Sequence, residues 1–381
     1  MKQLTASWVS NASAQAFLDA AEKAGFSAYF VGGCVRNALL GLSASDIDVA
    51  TDAHPEHVIA LAKALGFKPV PTGLDHGTIT VVDGSTVLEV TTFRKDVETD
   101  GRRAVIEFAS TLEDDAQRRD FRVNALYADR HGTVLDPTGG LADIAARRLC
   151  FVGKAEERIR EDYLRIVRLF RFAAKLDFGA EGLDNIALEA CARLSYGLTH
   201  VSQERQTSEI LKLLSASRLM DVMDVMQASG VLSRMLPGAR LEPLAAYVTR
   251  EESICPIARL ACLTYFTDTC HLRLSNEERK RLQAIRSYCG TGIALDEFAY
   301  RHGAELAITS ARVAEAVFGE VLSDANLKSA QWASEQSFPV SAQDLMPKIK
   351  GKALGDALRK LEQDWIDSGF KRSKESLLNK E

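Results

Sequence analysis

The chain has 381 residues, 46% hydrophobic and 26% charged, with a formal net charge of −5. That length exceeds one small core, so two to four domains are expected, with the composition of an ordinary globular protein. An acidic whole offers nucleic acid no general attraction, so a polynucleotide would need a local basic surface, and no apolar run approaches the roughly 18 residues that cross a membrane.

The opening "MKQLTASWVSNASAQAFLDAAEKAGF" is too broken by polar residues for a signal peptide. It predicts an amphipathic helix with Phe17, Leu18 and Ala21 inward, stopped at Gly25. "AYFVGGCVRNALLG" predicts a strand, a Gly-Gly turn and a helix, and "SDIDVAT" a second strand. There Ile47 and Val49 face inward while Asp46 and Asp48 share the other face, since alternate residues of a strand point the same way. "HPEHVIALAKALGF" reads as a helix ending at Gly66, and "GTITVVDGSTVLEVTTF" as a hairpin about Asp83-Gly84. "ALYADRHGTVLDP" predicts another hairpin, closed by Pro137 and Gly139-Gly140. After about residue 155 the pattern is helical almost throughout, with breaks near Gly179, Gly230, Pro237 and Gly290. "ERIREDYLRIVRLFRFAAKLDF" puts Ile159, Tyr163, Ile166, Val167, Phe170 and Ala174 on one stripe of a helix. The fold class is therefore α+β: a head with a mixed sheet, then an all-α remainder. Seven scattered cysteines, none in a C-x-x-C pair, argue against a zinc site or disulfide framework and fit a reducing cytoplasm.

Two like charges side by side on a strand face are unfavourable unless solvated or bridged by a cation. Glycines Gly32 and Gly33 at a strand-to-helix turn let backbone N–H groups approach a phosphate, with Arg36 one turn on. Asp46 and Asp48 follow ten residues later, and Glu89 faces outward on a later strand with Val87 and Thr91. Phosphate donors followed by two or three carboxylates suit metal-assisted nucleotidyl transfer, with Mg²⁺ between Asp46, Asp48 and phosphate. "RRDFRVNALY" places Arg118, Arg119, Asp120 and Asn124 where they could hold a triphosphate and a ribose; a solvated helix start capped by Asp120 is the plain alternative.

In "EDYLRIVRLFR", Asp162, Arg165, Arg168 and Arg171 recur every third residue along one helix face. Surface ion pairs explain that spacing cheaply. An Asp–Arg pair also complements the Watson–Crick edges of cytosine and adenine, an amino donor beside a ring-nitrogen acceptor, and mismatches uracil and guanine. One helix could then select C and A without a template.

"GGCVRNALLG…SDIDVAT", "RRDFRVNA", "DPTGG", "EDYLRIVR" and "SQERQTSEILKLL" stand in an order that resembles bacterial class II tRNA nucleotidyltransferases, the CCA-adding enzymes and bacterial poly(A) polymerases. The resemblance is close from residue 28 to about 215 and weaker over "GKALGDALRKLEQDWIDSGF". It implies a catalytic head (1–140), a helical neck with the nucleotide-selecting helix (141–215), and an RNA-binding helical body (216–300) and tail (301–381). By position it implies that Asp46 and Asp48 hold the metal and Glu89 is the third carboxylate. Gly33 and Arg36 then meet phosphate, and Arg118, Arg119, Asp120 and Asn124 meet triphosphate and ribose. Asp162 and Arg165 read the base beside Arg168 and Arg171. "RKDVETDGRR" (94–103) matches a flexible loop that switches selection from C to A. Asn37 stands where the first motif usually has Asp, which puts one supporting hydrogen bond in question, and Arg122-Val123 where the second usually has Thr-Ile.

The implied activity is addition of C, C and A from CTP and ATP to the tRNA 3′ end and acceptor stem, with Mg²⁺, in the cytoplasm, with no membrane or protein partner. An A-adding or poly(A) relative, or an inactive RNA-binding homologue, are the alternatives. "TGLDHGTITV" and the retained "DGRR" favour CCA addition. "PKIKGKALGDALRK" and "FKRSKE" are candidate basic patches for RNA, though exposed helix faces explain them nearly as well.

Overall fold

A computed structural model of the chain describes residues 2–43, 46–99, 104–269, 271–346 and 348–379. The chain forms two compact units, Met1–Pro237 and Gly238–Glu381.

The first unit opens with helix α1 (Ala12–Lys23), capped by the Asn11 side chain and burying Ala14, Phe17, Leu18 and Ala21. Strand β1 (Ala28–Val31) runs into helix α2 (Gly33–Leu40), and β2 (Ile47–Thr51) returns antiparallel to β1. Helix α3 (Pro55–Ala64) begins with proline at its first position, where a missing N–H costs nothing. Strands β3 (Lys68–Gly73), β4 (Thr78–Asp83) and β5 (Thr86–Thr92) follow, with the β4–β5 hairpin turning at Gly84 in a left-handed conformation (φ 56°). β5 lies parallel to β2, its register pairing Ile47 with Leu88 and Asp48 with Glu89. A hairpin of β6 (Arg94–Thr99) and β7 (Ala104–Phe108) stands as its own two-stranded sheet. After helix α4 (Leu112–Gln117), strands β8 (Tyr127–Ala128) and β9 (Val134–Leu135) complete a mixed sheet in the order β3-β4-β5-β2-β1-β8-β9. Val31, Ala50, Phe93, Tyr127 and Val152 form one of its buried clusters. The expected first helix, Gly-Gly turn and both predicted hairpins are present, whereas "RKDVETDGRR", expected as a flexible loop, is strand over residues 94–99.

The helical part of this unit runs through α5 (Gly140–Ala145), α6 (Ala155–Glu161), α7 (Leu164–Lys175), α8 (Asn185–Leu194) and α9 (Gln203–Leu214). One expectation fails here: residues 155–175 are two helices rather than one. Asp162 is extended (φ −154°, ψ 102°), and its side chain accepts from the Leu164 N–H at 3.1 Å, a local bond that competes with helix continuation.

The described residues of the second unit hold helices and no strand. One core gathers Phe298, Ala307, Val340, Trp365 and Phe370, with edge-to-face rings such as Trp365–Phe370 at 4.9 Å. Arg259, 1% exposed, is paired with Glu251 in this unit. Among the described residues no helix is long and apolar enough to cross a membrane.

Candidate functional site

β2 and β5 bring the carboxylates together. The parallel register sets Asp48 directly beside Glu89, and strand alternation leaves Glu89 exposed between buried Leu88 and Val90. Burial first, then the Glu89 carboxylate, raise Asp48 to about 6, with Asp46 adding to the repulsion and Arg119 and Arg36 opposing it. Beneath them the Cys34 thiol is pushed up by burial to about 11, which makes it a poor nucleophile.

Gly32 ends β1 with φ 69°, a conformation a side chain resists, and its N–H is spent on the Leu126 carbonyl at 3.0 Å. Its contribution is thus the turn itself, rather than a phosphate contact as expected. Gly33 opens α2, where the first N–H groups have no intrahelical acceptor. A Cβ at Gly33 would lie 3.7 Å from Asp48 Oδ2 and 3.9 Å from Arg36 Nη2, so helix start, carboxylate and guanidinium share one small space. Arg36 is buried; its Nη1 donates to Asn124 Oδ1, and its Nε and Nη2 donate to Asn37 Oδ1 at 3.1 and 2.8 Å. Asn37 in place of aspartate therefore keeps the acceptor and drops the charge.

"RRDFRVNALY" is a buried lattice rather than a solvated helix start. Arg118 and Arg119 both grip Asp115, at 2.6 and 2.9 Å. The Tyr127 hydroxyl donates to the same carboxylate at 2.7 Å. Burial alone would raise Asp115; the two guanidiniums outweigh it and hold the carboxyl at about 2. Asp120 is also buried: Oδ1 accepts from Asn124 Nδ2 and the Phe121 N–H, both at 2.9 Å. Its Oδ2 accepts from Arg168 Nε at 2.8 Å and Nη2 at 2.6 Å. Arg168 and Asn124 override the burial penalty and keep Asp120 at about 2. The sheet region is thereby tied to α7. Around Phe172 of α7 stand three guanidiniums, Arg36, Arg168 and Arg171, at 5.2, 5.3 and 4.1 Å from the ring centre. Glu209 of α9, buried, pairs with Arg171 at 2.9 Å and Arg168 at 3.7 Å.

Asp162 and Arg165, expected to read one base edge together, are each bound to another partner. Asp162 Oδ2 accepts from Arg205 Nη2 at 2.7 Å. Arg165 donates to Glu161 Oε2 at 2.5 Å and to the carbonyls of Arg158 and Arg118 at 2.9 and 3.1 Å. Sequence reading missed Asp115, Tyr127, Arg205 and Glu209. Asp115 stands three and four residues before Arg118 and Arg119, a helical ion-pair spacing that could have identified it. Arg205 and Glu209 lie in "SQERQTSEILKLL" and meet their partners only through the tertiary fold.

Among the described residues no three His, Cys, Asp or Glu side chains converge as a metal cage. A raised carboxylate beside two others could hold a hard cation of the kind that one or two protein carboxylates share with phosphate oxygens.

The chain is similar to several known proteins. Residues 28–150 match the family described as "Poly A polymerase head domain". Residues 183–241 match the one described as "Probable RNA and SrmB- binding site of polymerase A". CCA-adding enzymes of Streptococcus pyogenes serotypes M2 and M1 are each 46% identical over 197 residues, 51% of this chain and 47% of theirs. The chain thus spans about half the length of the curated relatives it matches. Among solved structures, the Bacillus stearothermophilus CCA-adding enzyme in complex with CTP is 27% identical, with a TM-score of 0.74 over 95% of this chain and 94% of that one. Another CCA-adding enzyme with CTP, at 19% identity and TM-score 0.69 over 96% and 92% of the two chains, shares the fold. Residues 28–150 and 183–241 are thus similar to the head and the RNA-binding region of poly(A) polymerase-type proteins, and the N-terminal half to CCA-adding enzymes.

Proposed function

We propose that the chain is a template-independent tRNA nucleotidyltransferase that adds C, C and A from CTP and ATP to the 3′ end of tRNA. The observation that carries this reading is Asp48 in register with Glu89, beside the Gly33 helix start and Arg36. The RNA 3′ hydroxyl attacks the α-phosphorus, forming a P–O bond while the α–β bridge breaks and pyrophosphate leaves. Glu89, exposed beside Asp48, is placed to take the hydroxyl proton. Arg36, Arg118 and Arg119 surround the triphosphate, and Asp120 and Asn124 meet the ribose. Asp46 and Asp48 would hold Mg²⁺, which when bound offsets charge on the triphosphate and activates the attacking oxygen.

Asp162 is the acceptor that selects an amino-bearing base, and Arg205 stands beside it as donor. Arg165 joins the readout on leaving Glu161, with Arg168 and Arg171 holding the helix behind it. RNA is met by shape and backbone, as an A-form acceptor stem requires. The division into head, neck, body and tail assigns the last two to the stem, in the cytoplasm. The test is incorporation of labelled CTP and ATP into tRNA lacking its CCA end, with and without Mg²⁺. Full CCA products only with metal are expected; A alone, a poly(A) ladder or no product would each overturn the reading.

A further inference from the structure

Beside the Asp162–Arg205 pair lies an aromatic cluster that the chemistry above does not use. Tyr163 follows Asp162 at the break between α6 and α7. Its ring rests on the backbone of Gly197: a Cβ there would stand 2.0 Å from Cδ1 and Cε1 of the ring. Tyr196 and His200 come from the same short turn, Ser195–His200, with ring centres 6.1 and 6.0 Å from Tyr163. Tyr196 is 50% exposed and His200 is exposed, so the cluster presents ring surface to solvent. Tyr196 meets Tyr163 on one side and leaves the rest of its ring open.

The charges around the cluster tell what could cover it. Arg160 acts electrostatically on Tyr163, Arg205 is bound to Asp162, and Arg193 precedes Tyr196 by one turn. Against these three guanidiniums stand Glu156, which pairs with Arg160 and Arg193, and Asp162. An exposed ring surface with guanidiniums at its edge matches a single-stranded nucleotide, base on ring and phosphate reached by an arginine that exchanges its carboxylate partner. The turn also lies within residues 183–241, the stretch matching an RNA-binding family. A double-stranded stem buries its bases and would leave the rings uncovered.

We infer that Tyr163, Tyr196 and His200 form a stacking platform for an unpaired base at the 3′ end of the RNA being extended. This rests on the RNA-extension reading above. The platform would hold the growing end next to Asp162, so that the incoming base and the primer end are presented at one place.

The test uses the full chain and an acceptor-stem RNA with an unpaired 3′ end carrying 2-aminopurine at its last position. Binding should quench the fluorophore by stacking. Tyr196→Ala should relieve the quenching and raise KM for the RNA about tenfold, as expected for losing one base–aromatic stack, while KM for CTP holds. Tyr196→Phe, which keeps the ring, should behave as the parent protein and guards against a folding effect. Unchanged quenching and RNA KM in Tyr196→Ala would overturn the platform, and so would a rise confined to KM for CTP. If the parent chain extends no RNA, the functional reading fails, and quenching with its loss in Tyr196→Ala still decides the platform separately.

Discussion

Asp48 shows at the level of one residue how a site is built against stability. Its folded-state value of about 6 lies above the ordinary carboxylate value near 3.9, so the native state binds the proton more tightly than the unfolded chain. Stability therefore falls as pH rises from about 4 through 6, and above that the ionised group opposes folding by up to roughly 3 kcal/mol. Asp48→Asn should melt higher than the parent at pH 8, the gain vanishing near pH 4, while incorporation of CTP and ATP is lost. Equal melting temperatures at pH 8 would mean that Arg36 and Arg119 already neutralise the charge. Asp162 poses a second question at this scale, because its observed partner is Arg205. Asp162→Ala should lower CTP and ATP use and let UTP or GTP compete, by about 1–3 kcal/mol of lost discrimination if groove readout is a guide. Assaying all four nucleotides with Arg165→Ala and Arg205→Ala then identifies the donor as the variant that also relaxes selection.

Two elements owe their shape to more than their own sequence. "RKDVETDGRR", expected as a flexible loop, is a β-hairpin over its described residues, pairing Arg94 with Phe108 and Thr99 with Ala104. Its tip, residues 100–103, lies outside the described residues. A two-stranded hairpin paired to no other strand is marginal by itself, which suits the proposed switch between C and A addition. Deleting residues 96–101 should stall products at CC on a sequencing gel; full-length CCA ends from that variant would remove the hairpin from the switch. The break between α6 and α7 is the other case. There Tyr163 lies on Gly197, where a Cβ would stand 2.0 Å from the ring. Gly197→Ala should cost about 1–3 kcal/mol through overpacking, read by thermal or urea melts.

For the molecule as a whole, the decisive contacts join the sheet region to the helices that follow it within Met1–Pro237. Asp120 is buried and held at about 2 by Arg168, so its contribution is complete above its unfolded value near 4 and lost as pH falls toward 2. Asp120→Asn should destabilise the protein by about 1–3 kcal/mol at pH 7, since it removes the charge that accepts from Arg168 and Asn124, and should flatten that acid transition. Having its own cores, a chain ending at Pro237 should fold and bind CTP within a few-fold of the full protein by calorimetry, yet extend tRNA poorly. Loss of CTP binding by a folded fragment would contradict this.

Much of this was legible in the residues themselves. Alternation placed Asp48 and Glu89 outward, Asp83-Gly84 announced a hairpin, and glycine at position 32 marked a turn that needs positive φ. These are local rules, set by backbone sterics and a two-residue period, and they act before any tertiary contact forms. Periodicity misled at Asp162, because an apolar stripe continues across a break that a two-residue side-chain bond creates. It was silent on Arg205 and Glu209, whose partners lie on other elements. An arginine in a sequence says only that it will seek an acceptor. Which carboxylate it finds, Glu161 for Arg165, Asp162 for Arg205 and Asp120 for Arg168, is decided when burial forces each charge to pair with what the packed elements bring within reach.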